Sequence, residues 1–492
     1  MKHVSMQIPG VLLLASLLLL ASCSSPDDPT QPEVTTAAAT AAETAEPGNA
    51  DLLIQKSGAQ DFGGTEFRVF SPDPGLHFYK NVSPENNEIW FEGESGELLA
   101  DAVYKRNLKT EELLNITIKP IWGGDTGDVA DTTKNNVLAG DDFTDAVLCG
   151  LSNMMNLASQ KILFNLNEID TLDLSNPWWD QTIIQNFSIK NQLYVLCGDI
   201  VYYDDFAVSA LFGNKRIMSE LDMEVPYQLV RDGKWTFDIF SEMVKEGYAD
   251  LNGDGVYDHE SDRFGFTDHA SGMVLHMIYN FDQTLASKTE DGSIVINYNE
   301  ALFEDVNTII DFMKRMPATT VEDGYGATFK DGRALFYPSM IGGSAGMRSM
   351  VDDYCILPLP KGDEAQERYT AYVSNGWATC YAVPTTGADT EKTGTILEVM
   401  SAASSDTITP ALYDYMFAEK YVRDQESLEM LEYVWASHAY DLAVDTDWGG
   451  GLRDLYHALE KKASNDFASK MEKKLKSINR SLDTFLSGFE DE

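Results

Sequence analysis

Ala146-Val147-Leu148-Cys149 is a run of four apolar residues between Gly140-Asp141-Asp142 and Gly150. It is too short for a helix and closed by turn residues, so it reads as a strand buried on both faces. Upstream, Asp128 to Leu138 has helical spacing and is stopped by Gly140. Before that, Asn115 to Ile121 reads as strand ended by Gly123 and Gly124, and Leu98 to Leu114 as helix. Glu66-Phe67-Arg68-Val69-Phe70 alternates like a strand. The order strand, helix, strand, helix, strand predicts a parallel sheet with helices on its faces, hence an α/β fold.

A second region of the same kind begins after Asn191. Leu193 to Leu196 and Ala207 to Phe212 read as buried strands, and Thr236 is placed to cap a helix carrying Ile239, Phe240, Met243 and Val244. Leu302, Val306, Ile309, Ile310 and Met313 form a helical stripe. Arg333 to Tyr337, Tyr354 to Leu357 and Ala378 to Val383 read as strands, and Phe467 to Phe485 as a C-terminal helix packed on its own domain. No repeat of 20 to 50 residues appears, which argues against a solenoid.

The chain begins with Lys2, an apolar run from Val11 to Leu20, and Leu20-Ala21-Ser22-Cys23. That order predicts a lipoprotein signal peptide over residues 1–23, with Cys23 lipidated and the protein held on the extracytoplasmic face of a cell membrane. The run is shorter than the about 20 residues a spanning helix needs. Residues 24–59, rich in Ser, Thr, Ala, Pro and acid, have too little to bury and predict a disordered acidic tether. The formal charge of −43 repels phosphate backbones, so nucleic acid is not an expected partner. Neutral or cationic ligands suit such a field. Four scattered cysteines besides Cys23, without Cys-x-x-Cys spacing, read as buried small hydrophobes rather than a disulfide framework.

Several stretches resemble, in order and spacing, the extracellular solute-binding lipoproteins of carbohydrate-type ABC importers, the family 1 proteins related to maltose-binding protein. They include Asp101-Ala102-Val103-Tyr104-Lys105-Arg106-Asn107, Gly140-Asp141-Asp142-Phe143-Thr144-Asp145, Asn176-Pro177-Trp178-Trp179-Asp180, Gly233-Lys234-Trp235-Thr236 and Asn375-Gly376-Trp377. The resemblance spans nearly the whole mature chain. It implies a two-lobed, type II periplasmic-binding-protein-like fold with the ligand cleft between lobes joined by crossover strands. Carried onto this sequence, the crossings fall near Cys197 to Asp205, Phe329 to Leu335 and Tyr372 to Trp377. One lobe is then expected over 60–198 plus 335–372, the other over 199–334 plus 373–492. The implied function is capture of a sugar or oligosaccharide for delivery to a membrane permease by a monomeric, non-enzymatic receptor.

Sugar sites combine stacked aromatic rings with acids and amides that bond hydroxyls. At the expected crossings, the candidates are Trp377, Tyr203, Asp204 and Asp205. Tyr337 and Arg348 flank the glycine-rich loop Gly342 to Gly346, and Trp178 and Trp179 adjoin Pro177. Asp250-Leu251-Asn252-Gly253-Asp254-Gly255-Val256 matches the first half of an EF-hand loop, which predicts a structural Ca²⁺ held by Asp250, Asn252, Asp254 and the Val256 carbonyl, closed by Asp262. Its twelfth position is Ser261, which departs from that pattern. Two other functions stay open. Gly342-Gly343-Ser344-Ala345-Gly346, with His438 and His457, matches the nucleophile elbow of a lipid-anchored serine hydrolase, although Pro338 to Ile341 separate the serine from its strand; carboxylate pairs of a glycosidase are the related case. The third is a receptor for a non-sugar solute such as a peptide.

Overall fold

A computed structural model describes residues 46–75, 87–267, 273–289, 292–316, 326–374, 376–418, 421–446, 451–462 and 464–490. The signal peptide, Cys23 and the tether to residue 45 lie outside the described residues. Among those described, no helix is long and apolar enough to cross a membrane.

Two four-stranded sheets organise the body, which begins at Pro47. In the first, the order is Thr379–Ala382, Ala146–Gly150, Thr65–Ser71, Ile116–Trp122. The last three strands are mutually parallel, as their strand and helix alternation predicts, and Thr379–Ala382 joins antiparallel. Ala146–Gly150 is buried along its whole length, the state its unbroken apolar run implies. In the second sheet the order is Phe264–Phe266, Ala334–Met340, Ser209–Asn214, Tyr354–Leu357. Here Ser209–Asn214 runs antiparallel to both neighbours.

Local chemistry explains where the helices start and stop. Asp125 accepts the Asp128 N–H and the Asp128 side chain returns the bond, a capping box that opens Thr126–Ala139, and Gly140 closes it. Thr236 stands at the start of Phe237–Gly247 as expected, but its side chain makes no capping bond. The helix ends at Gly247, where an added Cβ would lie 2.6 Å from the Gly265 Cα, so only glycine lets helix and strand approach so closely. Glu300–Arg315 buries Leu302, Val306, Ile309, Ile310 and Met313 together, and Phe467–Leu486 buries Phe467, Met471, Ile478, Leu482 and Phe485. Cys149, Cys197, Cys355 and Cys380 are buried free thiols.

Four expectations are corrected. Leu193 to Leu196 is no sheet strand; only Leu196 bridges Tyr381. The end of the supposed tether is structured, since Asn49–Ser57 is a helix whose Asn49 N–H and amide bond Asp406 and Ser405 on the helix Thr390–Ala418. Phe329 to Leu335 does not cross between sheets, because Ala334–Met340 pairs within the second one. The two C-terminal segments are also divided differently. Tyr354–Leu357, expected in the first lobe, pairs with Ser209–Asn214, and Thr379–Ala382, expected in the second, completes the first sheet. The reason is geometric: a short apolar strand takes whichever edge its connections let it reach, and its sequence does not name that edge.

Candidate functional site

The chain passes between the sheets near Cys197 to Val208, again near Tyr372 to Ala378, and the segments around both passages are stitched together. Asp180 N–H donates to the Cys197 carbonyl and Asp199 N–H to that of Trp178. Val208 bridges Val373, Ser374 N–H donates to Ala207, and Ile341 N–H to Val208. His438–Ala439 pairs in parallel with Ala371–Tyr372. Gly198 has φ +127° and a Cβ there would meet the Trp178 carbonyl oxygen at 2.2 Å, so the first passage can lie this close to Trp178 only with glycine.

A buried charged network fixes that passage to the first half. Glu88 Oε1 accepts the Tyr202 and Tyr203 N–H groups at 2.7 and 3.0 Å, and Oε2 accepts the Thr379 hydroxyl at 2.7 Å. Burial raises the Glu88 carboxyl to about 7 despite these bonds. Arg106, fully buried, donates to the carbonyls of Glu88, Ile89 and Ile200 and to Asn107 Oδ1. Nothing in the local pattern marks Glu88, and for Arg106 the one signal in the sequence is its place in Asp101 to Asn107, a stretch that resembles the binding-protein family.

Beside the network lies an acidic recess. Asp180 Oδ2 is 3.8 Å from His438 Nδ1, and Asp205 Oδ1 is 3.9 Å from His438 Nε2. Asp180 Oδ1 also accepts the N–H groups of Thr182 and Ile183. Burial is the largest influence on Asp180, yet the bond and charge of His438 with these N–H groups hold its carboxyl below the usual range. Burial pushes Asp205 up to about 7, and burial plus neighbouring carboxylates push Asp204 well up. The Asp205 side chain nonetheless keeps 29% of its surface exposed, so the recess opens to solvent.

The expected ligand residues separate into two groups. Tyr203, Asp204 and Asp205 lie on the first passage, where Tyr203 stacks on Tyr202 with centroids 5.0 Å apart and is buried with Asp204. Trp377 sits half-buried on the second passage, its N–H donating to Ser374. Arg348 lies over the Tyr421 ring at 5.5 Å, in the aromatic cluster that contains Phe206 of the first passage. Elsewhere, Tyr337 is buried against Phe329 within the second half. Trp178 and Trp179 are core residues: both are buried and donate their indole N–H groups to the two oxygens of Glu398 at 3.1 and 3.0 Å. Asn375 lies outside the described residues.

The loop expected to hold calcium closes on its own backbone. Asp250 accepts the N–H groups of Gly253 and Gly255, Asn252 Oδ1 that of Asp254, and Asp254 Oδ1 that of Val256. Buried Asp262 accepts those of Leu251 and Asp258. Among the described residues no three acidic, imidazole or thiol side chains are gathered in a metal-binding arrangement. Ser344 lies inside a 3₁₀ helix, Ile341–Met347, that directly follows the strand Ala334–Met340, and not at the turn between them where an elbow serine stands. Ser344 is fully buried and donates its hydroxyl to the Ile341 carbonyl at 2.6 Å, the opposite of a nucleophile presented to substrate. His438 faces Asp180 and Asp205; the His457 side chain lies outside the described residues.

No family model matches the chain, and no curated protein matches it. Solved structures do. UgpB from Mycobacterium tuberculosis in complex with glycerophosphocholine is 14% identical with a TM-score of 0.55, over 86% of this chain and 98% of that one. A cyclo/maltodextrin-binding protein complexed with maltotetraose is 10% identical, TM-score 0.52, over 85% and 96%. The maltose/maltodextrin-binding domain MalE from Bdellovibrio bacteriovorus bound to maltotriose is 14% identical, TM-score 0.50, over 87% and 100%. The chain has the two-lobed α/β fold of these solved structures.

Proposed function

We propose that this protein is the extracellular solute-binding component of an ABC importer, which captures a sugar or oligosaccharide between its two halves and hands it unchanged to a membrane permease. The observation that carries this reading is the meeting of both interlobe passages, where Val208 bridges Val373 and His438–Ala439 pairs with Ala371–Tyr372, beside a recess that holds Asp205 and His438. A hinge so placed lets a ligand stabilise a closed form that a permease distinguishes from the open one. Neighbours of the same fold hold maltotriose and maltotetraose. No catalytic residue is required, and the buried, locally bonded Ser344 speaks against a hydrolase. Anchoring through lipid on Cys23 at the outer face of a cell membrane, and a monomeric state, complete the proposal.

A thermal-shift panel of oligosaccharides, followed by chromatography of the sugars, tests it. A receptor gains melting temperature and returns its ligand intact. Shortened sugars, or no shift and unchanged X-ray scattering with every compound, would refute the reading. Calcium in the Asp250 to Asp262 loop remains part of the proposal, because Asp250, Asn252, Asp254 and the Val256 carbonyl supply the hard oxygen donors Ca²⁺ takes. A melting temperature unmoved by calcium in both the parent and Asp254→Ala would remove it.

A further inference from the structure

We propose that the recess formed by Asp180, Asp205, His438 and Tyr440 takes a positively charged group of the ligand, an ammonium such as that of an amino sugar; this rests on the reading of the protein as a solute receptor. The first support is a charge imbalance. Asp180, Asp204 and Asp205 share one recess, Asp199 and Glu88 add to the negative field at Asp205, and the basic side chain that reaches Asp180 and Asp205 is His438. Carboxylates crowded in a desolvated space cannot all stay ionised. A guest bearing positive charge supplies what the protein omits.

The second support is independent of charge. Tyr440 is buried, with its ring edge-on to His438 at 5.7 Å, and its hydroxyl has no hydrogen-bond partner. That ring contact sets Tyr440 beside the imidazole that stands 3.8 Å from Asp180 and 3.9 Å from Asp205. His438 Nε2 also has no hydrogen-bond partner. Buried polar atoms are nearly always bonded, so the unpaired Tyr440 hydroxyl, whose oxygen can accept, marks a place for a bonded guest. An ammonium carries three N–H donors and no acceptor, which suits a wall of carboxylate and hydroxyl oxygens. Half-buried Trp435, whose indole donates to the Asp205 carbonyl at 3.2 Å, and Tyr413, 4.8 Å edge-on to Trp435, add aromatic surface on the same side.

Titration calorimetry of the full folded chain with a glucosamine trimer, its N-acetylated counterpart and maltotriose tests the inference. The free amine is expected to bind at least tenfold tighter than the N-acetylated trimer. Asp205→Asn should shrink that ratio below threefold, and Tyr440→Phe should weaken amine binding several-fold, with circular dichroism checking that each variant folds. If Asp205→Asn does not fold, the Tyr440→Phe result decides. Equal affinity for amine and N-acetyl forms, or a ratio that survives in the folded variants, overturns the ammonium site while maltotriose binding leaves the receptor reading intact. Binding by none of the three sugars removes both.

Discussion

Replacing Glu88 by Gln should stabilise the protein at alkaline pH and do little in acid. The Glu88 carboxyl stands at about 7 in the fold against an ordinary 4.5. Its folded form thus holds a proton that the unfolded chain has already released, and stability falls as pH rises from about 4.5 through about 7. Each pH unit between the two values is worth about 1.4 kcal/mol, so ionised Glu88 costs the fold about 3 kcal/mol at pH 8. Glutamine has nearly the same shape: its oxygen can keep the Tyr202 and Tyr203 N–H groups and its amide can donate to the Thr379 hydroxyl. Urea unfolding at pH 4.5 and pH 8, followed by the fluorescence of the eight tryptophans, measures the effect. The variant should gain about 3 kcal/mol over the parent between the two pH values. An equal difference between variant and parent at both pH values would show that Glu88 is not held protonated by burial.

Trp179→Ala removes a ring with 2% exposure and its bond to Glu398; a loss of about 3–5 kcal/mol is expected in a denaturant titration. Gly198→Ala forces a Cβ to within 2.2 Å of the Trp178 carbonyl oxygen at a φ of +127°, and should lower both soluble yield and melting temperature, whereas Gly253→Ala, which meets no atom within 4 Å, should bear only the strain of its positive φ. The chain as a whole should melt highest in mild acid. Burial raises Asp199 and Asp441 from 3.8 to about 6 and Asp205 from 3.8 to about 7, so stability drains as pH climbs from the ordinary carboxylate value up to those values. Opposing them, Asp258 is held low by its bond from Ser261, and Asp352 and Asp424, though burial is their largest influence, by Arg216 and Lys215. Their contributions disappear only as pH drops below the usual carboxylate range. Calorimetric melting at pH 5 above that at pH 8 is the check.

Local pattern made the α/β class readable. The helix and strand alternation from Glu66 to Cys149 and the stripe from Leu302 to Met313 are short-range signals, and both fold as written. Strand partners were less legible, because Tyr354–Leu357 and Thr379–Ala382 are alike as isolated apolar tetrapeptides and only the path of the chain sends them to opposite sheets. Sequence placed Asp204 and Asp205 on the first passage and Trp377 on the second, and the structure has them there. Asp180 and Tyr440 were not legible, since they reach the recess through contacts hundreds of residues apart in sequence. Tryptophans at 178 and 179 misled for a physical reason: a large ring with an N–H serves equally a sugar face or a buried carboxylate, and here Glu398 claims both.

The late arrival of Thr379–Ala382 in the first sheet bears on how the protein matures. Because the chain is made from its N-terminus, the N-terminal strands must wait, with one edge of Ala146–Gly150 open, until residue 379 has been added. Until then that edge is a template for stray pairing. Folding of this chain should therefore depend on a chaperone, or on synthesis fast enough to close the gap, more than that of a protein whose sheets are each completed before the next begins.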